Sequence, residues 1–134
     1  MMSTSDCYML PEPSSSSESG VRMEFPGGSL YLYFDYDKDG VMFNHGLLFE
    51  KVRAHKYTAE SHCPAWKIEK SYDNLVRILD SMDVKELIES TVEDKKSEWQ
   101  LNHYMIYFDG IGCYEIIAES WKALPEKEGS LNQA

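Results

Sequence analysis

The chain lacks the residue spacings that announce familiar chemistry. No CxxC pair occurs, and the three cysteines, Cys7, Cys63 and Cys113, are odd in number and widely separated. This pattern suits reduced thiols better than a disulfide framework. GxGxxG, GxxxxGK[ST] and GxSxG are all absent, so dinucleotide, P-loop and hydrolase-elbow readings have no support. Basic residues are scarce: 13 Lys and Arg stand against 23 Asp and Glu, a net charge of −10. Affinity for nucleic acid and for anionic membranes rests on Lys and Arg, so both are disfavoured as partners. No apolar run approaches the ~20 residues that a membrane-spanning helix needs. The first residues show neither a basic nor a long apolar stretch of the signal-peptide kind, and the expectation is a cytoplasmic protein. No cofactor is expected.

What is present is enough sequence for one domain with a core of its own, 134 residues with 43% hydrophobic residues. Residues 1–20 form an N-terminal segment that is Pro- and Ser-rich between Pro11 and Ser19 and is expected to be partly disordered. Residues 21–124 read as a single α+β domain, and 125–134 as a flexible tail. Strands are expected at Val21–Phe25, Leu30–Tyr36, Val41–Phe49, Val52–Ala59, Trp99–Phe108 and Cys113–Trp121. Leu75, Ile78, Leu79, Met82 and Leu87 share a helical face, which predicts one helical segment over about 71–90, with a break near Ser81. A largely antiparallel sheet built from hairpins follows, with that segment packed on one face.

The stretch Asp35-Tyr36-Asp37-Lys38-Asp39-Gly40 begins as an EF-hand loop does. Asp35, Asp37 and Asp39 are therefore candidate calcium ligands. The loop lacks its closing ligand: counting from Asp35, the twelfth position is Gly46 and the ninth is Phe43. The same residues also read as a two-residue type I′ turn at Asp39-Gly40. Tyr36 then faces Phe43, Phe34 faces His45, Leu32 faces Leu47 and Leu30 faces Phe49, with His45 the one polar residue on that face. Asp35 and Asp37 fall on the opposite face, pointing into water about 7 Å apart.

Asp109-Gly110-Ile111-Gly112 predicts a second hairpin. With Gly110–Gly112 as its loop, Phe108 faces Tyr114, Ile106 faces Ile116 and Tyr104 faces Ala118, and on the other face His103 meets Glu119. His103 with Glu119 is the candidate acid–base pair, and equally a plain cross-strand charge pair. His55, His62 and Cys63 do not complete a zinc set of usual spacing. Nine Tyr and three Trp are numerous for a small core. Tyr31, Tyr33, Tyr107, Trp66, Trp99 and Trp121 are candidate contact residues for a partner, or ordinary filling of a sheet.

The segments Val52–Glu60, Ser71–Leu75 and Asn102–Trp121 resemble small uncharacterised bacterial proteins. In size, acidity and strand–helix–strand order the chain is similar to immunity proteins that neutralise the toxins of competing bacteria. The resemblance implies a non-enzymatic acidic module that binds a basic protein partner, such as a toxin. It carries no functional residues. The other readings are a calcium-binding domain using the 35–40 loop and a small enzyme using His103 and Glu119.

Overall fold

The computed structural model describes residues 3–92 and 100–132. Among these residues, two five-stranded, mainly antiparallel sheets stack face to face, and two short α-helices lie on the outer side of one of them. The architecture is α+β, with two sheets where one was expected. The first sheet runs β1 (Thr4–Met9), β6 (Asn74–Ile78), β7 (Asn102–Phe108), β8 (Gly112–Ala118), β5 (Ala54–Ala59). The second runs β10 (Lys127–Glu128), β4 (Val41–Glu50), β3 (Ser29–Lys38), β2 (Val21–Glu24), and β9 (Ser120–Ala123) also pairs with β4.

The first hairpin has the register that its alternation predicts. Leu30 pairs with Phe49, Leu32 with Leu47, Phe34 with His45 and Tyr36 with Phe43. Asp39 and Gly40 both take positive φ, 54° and 85°, as a type I′ turn requires. The apolar face of this ribbon meets Leu75, Tyr104, Ile106, Phe108 and Ile116 of the first sheet. Aromatic pairs span the interface, Phe34 with Phe108 at 5.3 Å and Phe49 with Tyr104 at 5.6 Å between ring centres.

The 71–90 segment is not one helix. It divides into the end of α1 (Ala65–Ser71), strand β6, and α2 (Met82–Glu89). The reason is that β6 is covered on both faces: Leu75 enters the core between the sheets, while Val76 and Ile78 enter a second core under α1. A strand buried on both sides loses its two-residue alternation and imitates a helical run. Asp73 and Asp80, both with positive φ near 54°, flank the strand.

The second hairpin keeps the predicted faces but shifts by two residues. Phe108 pairs with Gly112, Ile106 with Tyr114 and Tyr104 with Ile116, so the loop is Asp109-Gly110-Ile111. Gly112 sits in β8, where a Cβ would lie 2.3 Å from the Thr58 carbonyl oxygen of β5. Its φ of 147° also disfavours any side chain, so the glycine is required both by its backbone conformation and by the close approach of the strands.

Asp35 does not point into water. It is 1% exposed and accepts hydrogen bonds from five donors: the Ser17 and Ser19 hydroxyls and the backbone N–H groups of Glu18, Ser19 and Leu131. Segments from both ends of the chain are thereby fastened to the outer face of the second sheet. Burial alone would raise the carboxyl pKa, but the bonds from Ser19, Leu131 and Ser17 outweigh it and hold it below the ordinary range. Asp35→Asn turns an amide N–H₂ toward groups that are themselves donors. The expected loss is about 2–4 kcal/mol in urea unfolding, with new protease sensitivity near residues 17–19; unchanged stability would show that the carboxylate is not an anchor.

His45 is the polar exception on the inner face. It is buried, its Nε2 lies 2.8 Å from the Tyr8 hydroxyl, and Nδ1 has no partner among the described residues. Burial lowers its pKa below 6.5, more than Glu126 raises it. As pH falls through 6.5 the unfolded chain takes up this proton before the folded one, so stability declines with pH there. Denaturant midpoints measured between pH 7.5 and 5 should show this slope, and His45→Gln should flatten it.

A buried polar relay beneath an open groove

The outer face of the first sheet carries a continuous chain of polar side chains under the start of α2. Ser81 is the N-cap of α2, its hydroxyl accepting the Val84 N–H at 3.2 Å. The helix thus starts on an ordinary serine cap, at the break expected near Ser81. The Ser81 Oγ also lies 2.6 Å from His103 Nδ1, and His103 Nε2 lies 2.8 Å from Glu115 Oε1. The Lys67 ammonium of α1 donates to Glu115 Oε2 at 2.8 Å. Ser81, His103 and Glu115 are 6%, 4% and 3% exposed.

Glu115 is held in its ionised form. Its burial favours the neutral acid, but the His103 and Lys67 hydrogen bonds and the charges of Lys67 and Lys56 outweigh this, bringing the pKa down to about 2. The carboxylate accepts from His103 Nε2–H. In a neutral imidazole Nδ1 is then the acceptor, and the Ser81 hydroxyl donates to it. With the imidazole in that neutral form, protons point from Ser81 to His103 to Glu115. This is the polarity of a hydroxyl–imidazole–carboxylate triad with the two ring nitrogens exchanged. Each member is also satisfied by structural bonds, with Ser81 engaged as a helix cap.

Above the relay lies a cleft of about 340 Å³ between α2 and β5. Asp83, Glu86 and Leu87 of α2, with Ser90 just after it, form one wall, and Ala54, His55 and Lys56 of β5 the other. His103, Glu115 and Ile117 form the floor. Lys56 reaches over the floor, its ammonium 3.9 Å from both Asp83 Oδ2 and Glu115 Oε2. Among the described residues β8 is the one strand partner of β5, and His55, Lys56 and Tyr57 are exposed along it. The outer backbone edge of β5, beside the groove, is thus unpaired among the described residues.

The residues singled out from the sequence are dispersed. Glu119 does not face His103: the two-residue shift places Ile117 opposite His103, and Glu119 pairs instead with Lys51 at 3.5 Å. The Asp35, Asp37 and Asp39 carboxylates do not converge, since Asp35 is buried among donors and Asp37 Oδ1 accepts the Gly40 N–H at 2.9 Å. Tyr31 and Tyr33 stack on the outer face of the second sheet, 5.8 Å between centres. Tyr107 is buried under Tyr72 and donates to Glu60 at 2.5 Å, Trp66 packs into the second core, and Trp121 packs against Tyr8. Trp99 lies outside the described residues. The aromatics therefore do not compose one contact surface. Ser81, Lys67 and Glu115 were missed because their meeting depends on how both helices sit on the sheet. Phase within the hairpin did signal that Glu115 shares the face of His103.

In comparison with known proteins, no family model, no curated protein and no solved structure matches the chain. Among the described residues no helix is long and apolar enough to cross a membrane.

Glu115→Gln leaves the Lys67 ammonium without its buried counter-ion. The expected cost is about 3 kcal/mol in chemical denaturation, and adding Lys67→Met should recover part of it. If the double variant is as unstable as the sum of the single changes, the pair is not coupled.

Proposed function

We propose that this protein is a non-enzymatic binding module of the immunity type, and that an extended basic segment of its protein partner lies along the free edge of β5 beside α2. The observation that carries this reading is the free edge and the acid-walled groove lying side by side. A strand added to an open edge gains main-chain hydrogen bonds, and its alternate side chains turn toward one face of the sheet. Here that face holds the groove. Its floor and wall offer Ile117 and Leu87 to an apolar side chain, and Glu86 to a cationic one. The net charge of −10 favours fast encounter with a basic protein. The relay suits this role without chemistry of its own, because it fixes the helix that forms the groove wall.

Affinity capture from the native host, followed by binding measurements on the recovered protein, tests this. The expected partner is basic, associates more slowly at high salt, and protects β5 amides from hydrogen exchange. Glu86→Lys should weaken it at least tenfold. Failure to recover a basic partner, or one that binds Glu86→Lys equally well and leaves β5 exchanging freely, defeats the reading.

A further inference from the structure

One cluster in the groove has a use that binding a protein does not require. Among the described residues, Asp83, His103 and Glu115 each offer one ligand atom, and the three atoms lie within 4.8 Å of one another. Their supports are those of a coordination site. The second nitrogen of a metal-bound histidine is normally hydrogen-bonded to an oxygen that sets the ring's orientation, and Ser81 Oγ holds His103 Nδ1 at 2.6 Å. Ligating carboxylates are in turn hydrogen-bonded, and Lys67 holds Glu115 Oε2 at 2.8 Å while Oε1 faces His103 Nε2. The third carboxylate, Asp83, stands at the exposed start of α2, 3.9 Å from the Lys56 ammonium.

A cation already spans these carboxylates. The Lys56 ammonium lies 3.9 Å from Asp83 and from Glu115, and its side chain is 53% exposed, so it can swing out to water. We infer that Asp83, His103 Nε2 and Glu115 Oε1 form a site for a divalent transition-metal ion of the zinc class, with Lys56 as the resident cation that the metal displaces. One imidazole nitrogen and two carboxylate oxygens suit such an ion, bound at about 2.0–2.2 Å. On binding, the ring proton is carried on Nδ1 and donated to Ser81 Oγ, whose own hydroxyl proton turns away from the ring. Three protein ligands leave a fourth position open to the groove.

Titration calorimetry of the full chain with zinc chloride tests it, with cobalt chloride absorption as a second readout. The expected result is one ion per chain, affinity reduced at least tenfold by Asp83→Asn, and affinity increased by Lys56→Met. Asp83 is exposed, so its variant should fold as the parent does. Nitrogen chemical shifts of the His103 ring should report metal on Nε2. Absence of one-to-one binding overturns the site. So does binding that survives Asp83→Asn unchanged but is lost in Cys63→Ser, which would place the metal on a thiol.

Discussion

The outer half of this molecule depends on one buried carboxylate. Glu115 stands on β8 of the first sheet, 3% exposed. An unpaired charge there would cost several kcal/mol. It is tolerated because Lys67 reaches it from α1, and His103 from β7 links it to Ser81 at the cap of α2. Two short helices, neither stable alone, are thus located by one ion. Apolar contact completes the seat of α1, where Trp66 and Ile68 meet Val76, Ile78, Met105 and Cys113. For α2 the polar contact is the better-defined one, and the groove owes its far wall to it.

Asp35 works in the same way on the opposite side. There the ligands of the carboxylate are hydroxyls and backbone N–H groups from residues 17–19 and from Leu131. A strongly acidic chain has carboxylates in excess over cations. Two of them are buried as organising centres, one paired with a lysine and a histidine, the other with neutral donors. Both are stabilised in the charged form, so acid conditions protonate the groups that hold the outer layers in place.

How much of this was legible follows from the range of each interaction. The Leu30–Phe49 ribbon could be read residue by residue because Asp39-Gly40 admits one short turn and every other side chain agrees with it. The second hairpin gave its faces but not its pairing, since two glycines flank the turn and a shift of two residues preserves the alternation. That shift separated His103 from Glu119 and gave it Glu115 as its neighbour. The strand at Asn74–Ile78 could not be told from a helix, because coverage on both faces hides its period. The relay was illegible for a further reason: Ser81, Lys67 and Glu115 lie on three elements, and nothing in their spacing brings them together.

The position above Glu115 is where these constraints meet. Any occupant must be cationic, since Asp83 and Glu115 both face it. The fold's own answer is a lysine from the edge strand, tethered on a long, half-exposed side chain. Such an ammonium neutralises the site weakly, at distances beyond hydrogen bonding, and is easily exchanged for a stronger cation. A fully structural pair would be expected to close to contact, as Lys67 does on the same carboxylate. The contrast between the two lysines separates the roles: Lys67 holds the framework, while Lys56 keeps a place that a metal ion can take. In the proposed complex a partner's basic side chain would meet the groove one turn further along α2, at Glu86, so the two proposed occupants would not have to compete.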